Sequence, residues 1–173
     1  MLATPIVSAL AALLLLGGCG GATATANQTT EASAPLPKLT GRVVDMANIL
    51  SPGQTAALTE KAAALETRKG HQFVIVTVAT LNGQTIEAYS LALGRGWGIG
   101  RKGHDDGVLL VVAPGERKVR IEVGYGLERV LRDEDAARII QETILPEFRE
   151  GRLPDGISKG ADAIIARLSE SDQ

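Results

Sequence analysis

Two short apolar runs, QFVIVTVA (72–79) and GVLLVVA (107–113), constrain this chain more than any other feature. Both are rich in β-branched residues and have strand length, so both read as buried strands. Between them Ile86, Tyr89, Leu93 and Trp97 recur at helical spacing after an LNGQ turn. A strand, a helix and a strand predict a right-handed parallel crossover. Pro114-Gly115-Glu116-Arg117 then reads as a turn into KVRIEVG, where Val119, Ile121 and Val123 alternate with charged residues. That segment is expected to pair antiparallel with its predecessor and to keep one wetter face, as at a sheet edge.

Helices should cover this sheet. Ser51 with Gln54 fits a capping box, Pro52 suits the first helical position and Gly70 suits a C-terminal stop, with Leu58, Ala62 and Leu65 as the apolar stripe. Asp133 to about Arg149 carries Ile139, Ile140, Ile144 and Phe148, and Pro146 predicts a kink or an early end. Asp133 reads as an N-cap or as a further member of the acidic group described below. Asp155 is expected to cap a last helix through Leu168. With 45% hydrophobic but only 3% aromatic residues, the core must be built from Ala, Val, Ile and Leu. The expected fold class is α/β, a small mixed sheet covered by helices.

The N-terminal MLATPIVSALAALLLLGGCGG has the apolar run and small-residue ending of a secretory signal, and is short for a membrane span. Leu16-Gly17-Gly18-Cys19 reads as a bacterial lipobox, in which Cys19 is lipidated. Cys19 is the single cysteine, so no intrachain disulfide can form. The following residues to Lys38 are small, polar and Pro-containing, a flexible tether spanning roughly 25 Å on random-coil scaling. The expected organisation is a signal peptide at 1–18, lipidated Cys19 and tether at 19–38, and one folded domain at 39–173. The expected location is the bacterial cell envelope, on the periplasmic or other extracytoplasmic face. A net charge of -2 gives no general pull toward nucleic acid, and no nucleic-acid-reading motif is present.

The chemistry-bearing stretch is GWGIGRKGHDDG (96–107). Its glycines follow a helix and open a strand, the reverse of a dinucleotide fingerprint. His71 and His104 lack zinc spacing and read as surface residues, and Trp97 reads as a core or helix-end anchor. The crossover and hairpin should gather Asp105, Asp106, the Gly124–Glu128 segment and Lys69-Gly70-His71 at one sheet edge. Such carboxylates repel one another. Either solvent with Arg101, Lys102 and Lys69 screens them, or a hard cation such as Ca²⁺ holds them. In the second case Asp105, Asp106 and Glu128 are the ligand candidates.

GRVVDMANILS, the W-G-I-G piece, D-D-G-V-L-L-V-V, R-K-V-R-I-E-V-G-Y-G-L-E and the late P-E-F resemble, in order, the TPM domain family over about Leu39 to Leu168. The resemblance implies a three-layer α/β/α sandwich outside the cytoplasm, often membrane-tethered. It also implies, for some members, a divalent cation of the Ca²⁺ type near this loop, and for some plant members acid phosphatase activity. Many members carry Asp-Asn where this chain has Asp105-Asp106, which adds a charge here. Many relatives end in a membrane helix and Gly-rich tail; an N-terminal lipid anchor at Cys19 would take that role. Three readings follow: a tethered, cation-holding accessory module that docks on envelope proteins; a metal-assisted phosphatase acting on phosphate monoesters, with Arg101 or Lys102 neutralising phosphate charge; or a purely structural domain in which the carboxylates only cap and solvate.

The lipobox reading predicts that the parent chain fractionates with membranes and carries acyl mass at Cys19. Cys19→Ser should release it to the soluble fraction. A soluble parent without acyl mass contradicts it.

Overall fold

The computed structural model describes residues 36–170. The expected signal peptide, Cys19 and the expected tether up to residue 35 lie outside the described residues. Strand β1 (Val43–Asp45) leads through a loop to helix α1 (Pro52–Lys69), then β2 (Gln72–Thr77), α2 (Ile86–Trp97), β3 (Gly107–Ala113) and β4 (Lys118–Val123). The sheet order is β1-β2-β3-β4, parallel except for the antiparallel β3–β4 hairpin. A 3₁₀ turn (Tyr125–Leu127) follows, then α3 (Asp133–Arg138), a π-helical turn (Ile139–Ile144), α4 (Leu145–Arg149) and α5 (Leu153–Ser169).

The alternation of side chains along the strands splits the core in two. Phe73, Ile75, Val108 and Leu110 pack with Leu58 and Leu65 of α1 and Ile157 and Ile164 of α5. Val74, Val76, Leu109 and Val111 pack with Ile86, Tyr89 and Leu93 of α2. Fully burying each large aliphatic or Phe side chain contributes about 1.5–3 kcal/mol. The result is a mixed α/β fold with a helix layer on each face. The unit Ser33–Gln173 contains every described core residue, so the domain carries its own core. Leu36 already packs into the α2-side core, and Trp97 Nε1 donates to the Pro37 carbonyl at 2.8 Å.

The local signals hold at α1. The Ser51 hydroxyl accepts from the Gln54 N–H, Gln54 answers on the Ser51 N–H, and Gly70 ends the helix at φ 76°. The C-terminal helices differ from expectation. Arg132, not Asp133, is the N-cap of α3, and Arg152, not Asp155, is that of α5; both acids sit in first helical turns, where they favour the positive end of the helix. Pro146 neither ends nor breaks the helical run. It has no N–H for an intrahelical bond, and the Leu145 N–H just before it reaches back to the Ile140 carbonyl, a π-type bond that absorbs the mismatch.

Register places the site. Gln72 pairs with Gly107 and Val108 with Val123, so the starts of β2 and β3 and the end of β4 meet at one end of the sheet.

Candidate functional site

The segment Gly98–Asp106 folds back on itself at that end. The Arg101 carbonyl accepts from the N–H groups of His104 and Asp105, at 2.9 and 3.1 Å. The Asp106 carbonyl accepts from Gln72 N–H at 3.0 Å, and Gln72 Oε1 accepts from Gly100 N–H at 2.8 Å. The loop is thereby stitched to the start of β2. On its other side, Gly107 and Asp105 carbonyls accept from Gly124 and Gly126 N–H, at 2.8 and 3.1 Å. This approach admits no side chain. A Cβ on Gly124 would lie 2.1 Å from the Asp105 carbonyl oxygen, and one on Gly126 would lie 1.9 Å from that of His104.

The two adjacent aspartates have opposite fates. Asp106 is 3% exposed, and both of its carboxylate oxygens are engaged by Arg101. Oδ1 accepts from the Arg101 backbone N–H at 2.7 Å; Oδ2 accepts from Nε at 2.6 Å and lies 2.5 Å from Nη2. Burial opposes the charge on Asp106, but the Arg101 hydrogen bonds and guanidinium outweigh it and hold the carboxyl below the usual aspartate range. The guanidinium rests over Gly70, where a Cβ would meet it at 2.8 Å. Arg101, expected to face an anion, is thus committed to Asp106. Asp105 is exposed, at φ 49°, a left-handed conformation that Asp tolerates better than most residues.

His71, expected at the surface, is largely buried: its side chain is 14% exposed and its Nδ1 lies 3.9 Å from Asp106 Oδ2. That nitrogen has no hydrogen-bond partner in the structure. Burial, with the charges of Arg101 and Lys69, pushes the imidazole below its ordinary range against the pull of Asp106. His104 is exposed.

Beside this loop runs an open cleft of about 730 Å³ along α2 and β4. Asp105, Glu128 and Asp133 line it with Lys102 and Tyr125; Asp106 and Arg101 are not among its lining residues. Asp105, Glu128 and Asp133 are exposed, and among the described residues their carboxylates make no hydrogen bond or ion pair. Gly98 and Gly100 also line the cleft, and among the described residues their carbonyls accept no hydrogen bond. Among the described residues no three His, Cys, Asp or Glu side chains stand close enough to enclose a metal ion. The topology therefore gathers Asp105 and Glu128 on one cleft, as expected, and separates Asp106 from them. Sequence reasoning offered Arg101 among the cations screening these carboxylates, but not that it closes on Asp106 alone and buries it. The usable signal was a cation followed, across a Gly-containing turn, by a carboxylate directly preceding a buried strand.

Because the folded-state pKa of Asp106 is depressed, its pairing stabilises the domain above the unfolded value, near pH 4. That contribution is lost as pH falls through the lower folded value. Asp106→Asn should therefore be less stable than the parent at neutral pH by about 1–3 kcal/mol. Arg101 is half exposed, which favours the lower end. Urea unfolding across a pH series should show that gap narrowing below about pH 4; a gap independent of pH contradicts the assignment.

A family model for the TPM domain matches residues 43–167. Among solved structures, the N-terminal domain of a P. gingivalis protein, determined in solution by NMR, is similar at 35% identity with a TM-score of 0.71. The match covers 75% of this chain and 82% of that one. The N-terminal domain of the cg2496 protein from Corynebacterium glutamicum shares the fold at 12% identity and TM-score 0.60, over 81% and 88% of the two chains. So does the BA42 protein from Bizionia argentinensis, at 16% identity and TM-score 0.61, over 70% and 83%. No curated protein matches. With the family model spanning most of the domain, this chain belongs to the TPM domain family.

Proposed function

We propose that the domain is an extracytoplasmic accessory module of the bacterial cell envelope, tethered to a membrane through Cys19 and docking on other envelope proteins. In this reading it holds a divalent cation of the Ca²⁺ class at the cleft. The observation that carries it is the pair of carboxylates left without protein partners there, Asp105 and Glu128, beside the glycine-bearing backbone of Gly98 and Gly100. Hard oxygen donors of mixed carboxylate and carbonyl type suit Ca²⁺, which tolerates irregular, loop-built shells completed by water. Among the described residues no cluster of three acidic or imidazole side chains stands ready, so Asp105 and Glu128 would act with backbone oxygens rather than as a carboxylate cage. Asp106 serves this site from behind. Through Arg101 it fixes the loop that presents Asp105, and with both oxygens engaged it is a positioning residue rather than a ligand.

The phosphatase reading is the weaker one. No Ser, Thr, Cys or His lines the cleft, so a nucleophile would have to come from the Tyr125 hydroxyl or a carboxylate. Of the two cations expected to neutralise phosphate, Arg101 is held by Asp106, which leaves Lys102 on the cleft beside Arg95 and the Glu122-paired Arg120.

Millimolar Ca²⁺ should raise the melting temperature of the parent by several degrees; a hundredfold excess over Kd corresponds to about 2.7 kcal/mol. Asp105→Asn with Glu128→Gln should melt near the calcium-free parent and not respond. Asp106→Asn should melt lower yet retain a response. An unchanged response in the double variant, or none in the parent, overturns the cation site. Turnover of an aryl phosphate that disappears with Asp105→Asn replaces the module by an enzyme.

A further inference from the structure

Strand β4 is a sheet edge: it pairs with β3 on one side, and among the described residues no strand pairs with its other side. In an antiparallel ladder alternate residues turn their N–H and C=O groups outward. Gly124 N–H bonds to the Gly107 carbonyl, so by alternation Glu122 and Arg120 exchange the ladder bonds with Leu109 and Val111. Val119, Ile121 and Val123 therefore face outward, and among the described residues their backbone groups bond to no further element. Proteins protect such edges with short strands, prolines, bulges or central charges. The other edge, β1, is only three residues long, whereas β4 has six and no proline, and its central charges, Arg120 and Glu122, are of opposite sign.

The sequence about Ile121 is Val-Arg-Ile-Glu-Val, which complements itself when reversed. Antiparallel pairing of two copies centred on Ile121 sets Arg120 opposite Glu122 and Val119 opposite Val123 of the second copy. The Arg120–Glu122 pairs then occupy the close, non-hydrogen-bonded positions, where cross-strand side chains interact best. Within one chain Arg120 Nε already lies 2.6 Å from Glu122 Oε2, which also accepts from Ser90 at 2.7 Å, so the charges stand on the α2 side of the sheet. Val119 and Val123 are half-buried and have apolar surface still to cover.

The helix layer repeats the pattern. Glu87, Leu91 and Arg95 are exposed on α2 at successive turns, and Leu91 and Arg95 line the β4 cleft. Glu87 is close enough to Arg120 and Lys118 to feel their charge. The Ser90 hydroxyl donates to Glu122, next to Ile121, and the following residue, Leu91, shares the cleft with Arg120 to Val123. A two-fold axis through Ile121 would then bring Leu91 near Leu91 of the second copy, with Glu87 toward its Arg95. One axis satisfies two layers, as an isologous interface requires.

We propose that a second copy of this chain docks on the β4 edge about that axis, so that the sheet runs continuously through a homodimer. The domain Ser33–Gln173 should sediment at twice the monomer mass. Arg120→Glu sets acid against acid across the axis and Glu122→Arg sets base against base. Each variant alone should be monomeric, and their equimolar mixture should dimerise, because every cross-strand pair is then opposite in sign. Circular dichroism confirms that both are folded. The domain contains no cysteine, so Leu91→Cys should form an intermolecular disulfide under mild oxidation, while Glu60→Cys on α1 should not. A monomeric parent, dimers that persist in the single variants, a mixture of folded variants that stays monomeric, or no Leu91→Cys crosslink each overturns the proposal.

Discussion

The closure of Arg101 on Asp106 is the contact on which the loop end of this fold depends. A carboxylate buried at the mouth of β3 is costly unless its charge and lone pairs are answered. Arg101 answers with its backbone N–H and its guanidinium together. Removing one partner of a fully buried pair costs about 3–5 kcal/mol; the half-exposed Arg101 places this one lower. The same contact sets the curve of residues 101–106, and that curve turns Asp105 outward and brings its carbonyl to Gly126. The cleft, its free carboxylates and the Gly124–Gly126 contact all lie downstream of it. Of the two adjacent like charges, Asp106 holds the loop and Asp105 is displayed by it.

The remainder of the domain supplies a rigid floor for that loop. β2 and β3 are buried on both faces, and their parallel register fixes Gln72 against Gly107. α2 leads into the loop and is anchored where Trp97 reaches the Pro37 carbonyl. Far from the site, Glu147 is buried between Arg152 and Lys159 and clamps α4 to α5. The side-chain hydrogen bonds donated by Arg152 and Lys159, with their charges, outweigh burial and hold its carboxyl below the usual glutamate range.

Much of this was legible in the sequence, for physical reasons. β-branched runs of strand length, a capping box and a hairpin turn are local signals, and the chirality of the crossover then fixes which strand ends meet. The expectation that Asp105 and the Glu128 segment share one edge rests on those signals alone. What escaped is set by tertiary contacts. Whether Asp105 or Asp106 points inward depends on the exact residue at which β3 begins, and a shift of one position exchanges them. His71 is a lone histidine before a strand, and nothing local tells that Asp106 and Arg101 close over it. The π turn before Pro146 is a choice between breaking a helix and widening it, decided by how Ile144 packs against Gly156 and Gly160 of α5.

The central claim, that the Arg101–Asp106 contact holds the display loop, is tested most directly by amide hydrogen exchange in the parent and in Arg101→Gln. The Arg101 N–H, bonded to Asp106, and the Gly126 N–H, bonded to the Asp105 carbonyl, should both be protected in the parent. In the variant both should exchange at least about tenfold faster, a local opening eased by roughly 1.4 kcal/mol, while the Ile164 amide in α5 keeps its protection. Unchanged protection at Gly126 in Arg101→Gln would contradict the account, because the loop would then be held by something other than this pair.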